Sequence, residues 1–281
     1  MMERFCDLHV HSCYSDGTCT PAEILHLAQE AGLCAVALCD HNTVDGLEDL
    51  KAHAAHCPVE AVCGIEVSTD FEGTELHILG LGVQPRHYAP IQALMSRQKQ
   101  RKEKSNRDLV SRLNEAGYAL DYDTVLASTP TGNVNRALIA AELTRLGYTE
   151  SVQDAFRRLL SAKHGYYVPP KHPDAVQTVA WLKELGLAVV IAHPLLSMDE
   201  AQTRRFLPQA VAAGLDGMEV LYPKYDEATA ALAMSLCREY GLLPSGGSDF
   251  HGANKPDIRV GVGRGDLQIP EQYWKDLKSV T

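Results

Sequence analysis

The 281-residue chain is 45% hydrophobic and 22% charged, an ordinary balance for a globular protein long enough to bury a sizeable core. A formal net charge of −10 argues against broad, sequence-independent binding to long nucleic acid, although cations held in an acidic pocket can reverse the field locally for a small anion. No apolar run approaches the roughly 20 residues that span a bilayer, and the first eleven residues lack the apolar stretch of a secretory signal.

The first strand is Asp7-Leu8-His9-Val10-His11. On it His9 and His11 point to one face while Leu8 and Val10 point to the other. A loop containing Ser15-Asp16-Gly17 follows. Thr20-Pro21-Ala22-Glu23 then opens a helix, with a Thr cap and Pro at the first helical position, and Gly32 closes it. The second apolar run ends in Asp40-His41-Asn42, the third in Gly64-Ile65-Glu66-Val67, and the fourth carries Glu75-Leu76-His77. About a hundred residues of helical character follow, too many for a loop in a compact domain. They comprise a long helix from Tyr88 to Gly117 and shorter ones around Asn135–Gly147 and Ser151–Ala162. The alternation then resumes, with helices over Pro173–Gly186, Asp199–Gly214 and Asp226–Gly241. The intervening strands end near His193, Glu219 and Ser248-Asp249. About seven strand–helix units predict an α/β protein with a parallel sheet closed into a barrel. The barrel takes residues 1–87 and 166–281, and residues 88–165 form a helical insertion over its mouth.

The placement of histidines and acids is the informative feature. Six of the twelve histidines (His9, His11, His41, His77, His193, His251) fall at or near the ends of apolar strands, with Asp16, Glu66 and Asp249 in equivalent places. A lone histidine at a strand end is usually a hydrogen-bonded structural residue. Burying all nine together without a metal would leave many polar groups short of partners. In a parallel barrel the C-terminal strand ends build the active site, so the nine read as one metal centre. Imidazole and carboxylate without thiolate suit Mn²⁺, Fe²⁺ or Zn²⁺. Nine ligands exceed one tetrahedral site and fit two or three ions, with Glu66 as the expected bridge. The other histidines (His26, His53, His56, His87, His164, His172) are expected to face solvent. The eight cysteines form no C-x-x-C pair and are expected to be reduced structural thiols, consistent with a cytoplasmic protein.

The basic run Arg97–Arg107 is mostly a solvated helix face. Lying over the mouth, it could aim Arg101, Lys102 or Asn106 at a phosphate. Arg136 sits at a helix start, where backbone N–H groups also favour an anion.

Together these motifs resemble the PHP (polymerase and histidinol phosphatase) family across Asp7-Leu8-His9-Val10-His11-Ser12, Ser15-Asp16-Gly17, Asp40-His41-Asn42, Gly64-Ile65-Glu66, His77, His193-Pro194 and Ser248-Asp249-Phe250-His251. The resemblance implies a distorted (β/α)7, TIM-like barrel and phosphoester hydrolysis at a two- or three-metal centre. The length and the insertion are most similar to the branch of nucleoside 3′,5′-bisphosphate phosphatases, which also trim short RNA from the 5′ end. It further implies one ion on His9, His11, Glu66 and Asp249, a second on Glu66, His77 and His193, and a third on Asp16, His41 and His251. Such ions would activate a water as nucleophile, with Asp16 or His193 assisting proton transfer. The insertion departs from the family's Arg-x-x-Arg-Asn run, reading Lys102-Glu103-Lys104-Ser105-Asn106 instead. The expected partner is a small phosphorylated nucleotide, with no membrane and no long nucleic acid, and the oligomeric state is left open. Histidinol-phosphate phosphatase is the closest alternative, ahead of a C–N amidohydrolase or a non-catalytic metal-binding module.

Overall fold

The computed structural model describes residues 3–129 and 134–281. By internal contacts the chain divides into two compact units, one made of residues up to Gln92 together with His172–Thr281, the other of Ala93–Lys171. These boundaries fall five and six residues later than the sequence suggests. No helix among the described residues is long and apolar enough to cross a membrane.

The first unit is built on β1 (Phe5–Val10), β2 (Ala35–Leu38), β3 (Glu60–Phe71), β4 (Thr74–Leu81), β5 (Ala188–Ala192), β6 (Gly217–Leu221), β7 (Leu243–Gly246) and the short β8 (Ile269–Pro270). They hydrogen-bond in the order β7-β6-β5-β4-β3-β2-β1-β8. Just beyond β7 the sheet nearly closes on itself. There the Asp249 N–H donates to the His9 carbonyl (2.8 Å) and the His11 N–H donates to that of Phe250 (2.9 Å). The result is the TIM-like barrel expected from the sequence.

The expectation of an all-parallel sheet needs correction. β4 runs antiparallel to both β3 and β5. β3 does not stop at Glu66 but continues five residues to Phe71, where Glu72-Gly73 turn the chain straight back. Both turn residues have positive φ (52° and 81°), as a two-residue hairpin requires, and Gly73 adopts it without steric cost. His77 therefore lies in the first half of its strand, not at its end.

Helices pack around these strands for reasons visible in the chain. α1 (Pro21–Glu30) starts on a complete capping box between Thr20 and Glu23. α2 (Leu47–Ala54) follows β2, and α3 (Pro85–Glu115) follows β4. Farther along, α7 (Ala175–Glu184), α9 (Glu200–Ala212) and α10 (Glu227–Glu239) each start on an Asp cap, at Asp174, Asp199 and Asp226. A single turn, α8 (Pro194–Ser197), follows β5, and α11 (Glu271–Lys278) follows β8. Leu8, Ala37, Leu79 and Val190 share one buried cluster with Trp274 and Leu277 of α11.

In the second unit the later part of α3 packs with α4 (Tyr122–Ala127), α5 (Arg136–Arg145) and α6 (Val152–Ala155) around Leu109, Leu113, Val125, Ile139 and Leu143. The expected helix over Ser151–Ala162 is shorter. After Ala155 it widens into a π turn (Phe156–Leu160) and breaks at Ser161, whose backbone is extended. His87 also departs from expectation: it is buried, with Nδ1 3.1 Å from Gln84 N and Nε2 2.9 Å from Arg86 Nε, of which a neutral ring accepts from one. His164 and His172 are half-buried, whereas His26, His53 and His56 face solvent as expected. All eight cysteines are unpaired.

Candidate metal centre

All nine candidate ligands lie in the barrel unit, and they converge. Glu66, fully buried, is the hub. Its Oε2 is 2.9 Å from His41 Nδ1 and 3.2 Å from both His9 Nε2 and His11 Nε2. Its Oε1 is 2.8 Å from His77 Nδ1 and 3.3 Å from His193 Nε2. Asp249 Oδ1 lies 3.2 Å from His11 Nε2 and 3.4 Å from His251 Nδ1, and Asp16 Oδ1 lies 3.2 Å from His251 Nε2.

The local backbone makes this convergence possible. Of the four described non-glycine residues with positive φ, one is in the β3–β4 turn. The other three, Asn42 (56°), His193 (30°) and Asp249 (54°), all adjoin the cluster. Such backbone is costly and persists only where surrounding contacts hold it. Asn42 is held by its N–H on the Glu66 carbonyl (2.8 Å) and by a side-chain pair with Ser68, which sets His41 beside Glu66. His193 is held by its N–H on Glu219 Oε2 (2.7 Å). Gly247 lies so close to β1 that a Cβ there would come within 2.1 Å of the His9 Cβ.

Several acids that were not among the sequence candidates fix this arrangement. Glu219 on β6, fully buried, accepts from His9 Nδ1 at 3.0 Å, which leaves His9 Nε2 turned to Glu66. The end of the sixth apolar run, in the same kind of place as Glu66, was the signal that could have found it. Asp40 accepts from Ser12 N, Ser12 Oγ and Ser15 Oγ (2.8, 2.6 and 2.6 Å), shaping the loop that carries Asp16. Asp7 latches Ser248 N–H and Gly261 N–H, drawing the segment before Asp249 onto β1. Tyr222 and Lys255 both reach Asp249 Oδ2, at 2.7 and 2.6 Å. Nothing in the sequence singles out either of them.

The electrostatics follow from packing imidazoles against buried carboxylates. Burial alone would lower the histidine pKa values. Glu66 outweighs it at His9, aided by Glu219, and holds His9 well above its ordinary value. The same competition, again won by Glu66, raises His41 and lifts His77 to about 10. His11 goes the other way, lowered by burial and by the neighbouring His41. Burial would raise the carboxyl groups, yet the surrounding histidines pull Glu66 well below the carboxylate range and also lower Asp16 and Asp249.

A divalent ion suits the donor set. Donor atoms within 4.8 Å of one another occur in four groups among the described residues: His11, Asp16, His41 and His251; His9, Glu66 and His193; His9, His11 and Asp249; His41, Glu66 and His77. His11 Nδ1, His41 Nδ1, Glu66 Oε2 and His193 Nδ1 are buried without a hydrogen-bond partner. His41 Nδ1 and Glu66 Oε2 are close but lack hydrogen-bond angles, as donors do when aimed at a shared point rather than at each other. Nitrogen and oxygen donors without thiolate match the Mn²⁺, Fe²⁺ and Zn²⁺ group.

The four candidate substrate residues all belong to the second unit. Arg101 and Lys102 are exposed, with Arg101 Nη1 3.4 Å from the Lys171 carbonyl. Asn106 is buried and donates to the Val134 carbonyl (2.9 Å), so its amide nitrogen is engaged in holding its own unit together. Arg136 lies over the rings of Tyr167 and Phe156 and donates to the Leu160 carbonyl (3.3 Å).

Known proteins are similar over nearly the whole chain. The PHP domain matches residues 7–168. A phosphoribosyl 1,2-cyclic phosphate 1,2-diphosphodiesterase of Eggerthella lenta is 35% identical, covering 88% of this chain and 94% of its own length. A 3′,5′-nucleoside bisphosphate phosphatase of Chromobacterium violaceum is 29% identical, covering 97% and 96%. A solved structure from Bifidobacterium adolescentis, provisionally described as a metal-dependent phosphoesterase, superposes with a TM-score of 0.78 at 26% identity, covering 98% of this chain and 96% of that one. The full-length matches take in His193, Asp249 and His251, which lie beyond the domain match.

Proposed function

Because the chain belongs to the PHP domain family, we propose that it is a metal-dependent phosphoesterase whose substrate is a phosphomonoester of a small nucleotide. A nucleoside 3′,5′-bisphosphate is the substrate type, and trimming of short RNA from its 5′ end would be hydrolysis of a phosphodiester by the same metal-activated water. The observation that carries this reading is the meeting of nine imidazole and carboxylate side chains, Glu66 among them, in one cluster with buried donor atoms left unsatisfied there. Support for the substrate type comes from the Chromobacterium violaceum relative, which matches from end to end.

Two or three divalent ions of the Mn, Fe or Zn type would be held by His9, His11, Asp16, His41, Glu66, His77, His193, Asp249 and His251. Bound there, such ions supply Lewis acidity and a water whose pKa is lowered toward neutrality. The protein's own part is positional. Glu219 fixes the His9 tautomer, and the Asp249 carbonyl, accepting from His251 Nδ1 at 2.8 Å, leaves His251 Nε2 facing Asp16. Asp16 is half-exposed beside His251, which supports a role for it in moving a proton at the open side, and buried His193, beside Glu66, keeps its Nδ1 unpartnered for the same task.

The test is elemental analysis of the purified protein joined to a phosphate-release screen. The screen covers adenosine 3′,5′-bisphosphate, histidinol phosphate and a ribose cyclic phosphate. Stoichiometric metal with fastest release from the bisphosphate is expected. Preference for either other compound overturns the substrate type, and a metal-free protein that still turns over overturns the whole reading. His9→Ala and His251→Ala should lower turnover by roughly a hundredfold or more while the fold survives by circular dichroism.

A further inference from the structure

The carboxylate of Asp249 is used on both sides, and the two sides differ in kind. Oδ1 faces His11 and His251, the imidazole set. Oδ2 takes two donors, the Tyr222 hydroxyl at 2.7 Å and the Lys255 ammonium at 2.6 Å. Tyr222 is buried, and its hydroxyl donates to Oδ2 from within. The lysine comes from the open side, with its side chain 28% exposed.

Resting on the reading above, the geometry points to Lys255 as a phosphoryl-binding residue of the barrel unit, its ammonium donating to a non-bridging oxygen of the phosphomonoester. Among the described residues no other lysine or arginine forms an ion pair with any of the nine clustered side chains. A fixed positive charge beside a centre that gathers divalent cations opposes them. The same charge is favourable once a phosphoryl dianion is present. Tyr222 already caps Oδ2, so Asp249 does not depend on the lysine. An ammonium has three donors, and among the described residues it donates, besides Oδ2, to the Asp249 carbonyl alone, at 3.4 Å. At least one N–H is left for the open side.

The loop that carries Lys255 is stitched to the loop that carries Asp16. Asn254 Nδ2 donates to the Asp16 carbonyl (2.7 Å), and Ala253 N–H donates to Thr18 Oγ1 (2.8 Å). The Thr18 N–H returns to the His251 carbonyl at 3.2 Å. The ammonium is thereby presented from a braced segment, as a phosphate contact requires.

The experiment titrates inorganic phosphate into the metal-loaded protein by calorimetry, for wild type, Lys255→Met and Lys255→Arg. Metal content is measured on the same samples, and kcat and KM with adenosine 3′,5′-bisphosphate. Lys255→Met should bind phosphate roughly 10- to 100-fold more weakly and raise KM similarly, the loss of one charge-assisted hydrogen bond. Its metal content should match wild type, and Lys255→Arg should recover most of the affinity. Unchanged phosphate affinity in Lys255→Met overturns the proposal. So does a loss of metal in step with phosphate, which would mean that the lysine acts through Asp249. Should wild type itself take up no metal, the underlying reading of the site fails first and this one with it.

Discussion

Two parts of the barrel bring histidines to the same cluster by opposite routes. His9 and His11 lie at the C-terminal end of β1, among strands β1, β2 and β3 that run parallel. His77 lies in the first half of β4, which runs against both neighbours, and still comes within 2.8 Å of Glu66. Reversing a strand exchanges its two ends, so a residue early in β4 reaches the mouth that the other strands reach late. A metal centre of this kind depends on which end of the barrel a side chain occupies, and strand direction is free to vary.

Substitutions can break that comparison in order of size. Glu66→Ala removes the one group shared by both routes, and should abolish stoichiometric metal uptake and cut phosphate release by roughly a thousandfold or more. Among the histidines the routes should separate. His9 is fully buried and touches Glu66, Glu219 and Asp249, so His9→Ala should cost more than His77→Ala, whose ring is 20% exposed and meets Glu66 and Glu75 alone among the carboxylates. Equal losses in a side-by-side chelator competition would contradict this ranking. Glu219→Gln keeps the shape but not the charge that orients His9, and about a 10- to 100-fold loss of metal affinity is expected. The smallest effect belongs to the turn. Gly73→Ala strains a φ of 81° and should lower stability by about 1 kcal/mol in urea melts, leaving kcat unaltered.

Acidity sharpens the account in another way. His9, His41 and His77 have raised pKa values in the metal-free protein, so protons occupy the positions that ions would take. Metal uptake near neutral pH should release protons, and apparent affinity should fall as pH falls, both readable by calorimetry in buffers of different ionisation enthalpy. For stability without metal the sign is opposite. The raised His77 contributes stability that is fully present below the ordinary histidine value of about 6.5 and is lost as pH climbs toward about 10. Chelator-treated protein should therefore melt at lower temperature at pH 9 than at pH 7. A higher Tm at pH 9 would contradict the assignment.

Much of this was legible in the chain because it rests on short-range pattern. The two-residue spacing of His9 and His11, the acids closing apolar runs, and the Thr20 cap of the first helix are all local. What escaped needed three dimensions or a finer reading. The reversal of β4 hides in a two-residue turn of Glu72 and Gly73, unremarkable beside a long apolar run. His87 looked exposed because its partners, Gln84 and Arg86, are close by and polar. Lys255 sits in a polar loop whose sequence is silent, and only the path of the loop from His251 brings its ammonium to Asp249. The second unit illustrates the same divide. Its long helix and the one after Asn135 were readable, whereas α4 and the engagement of Asn106 with the Val134 carbonyl were not.

The most direct test is a crystal structure of the protein grown with Mn²⁺, with anomalous scattering to place the ions. Density for at least two ions, with Glu66 contacting both and His77 joining His9 and His11 around them, is the expected result. Full occupancy elsewhere in the chain, or an ordered cluster that binds none, would contradict it.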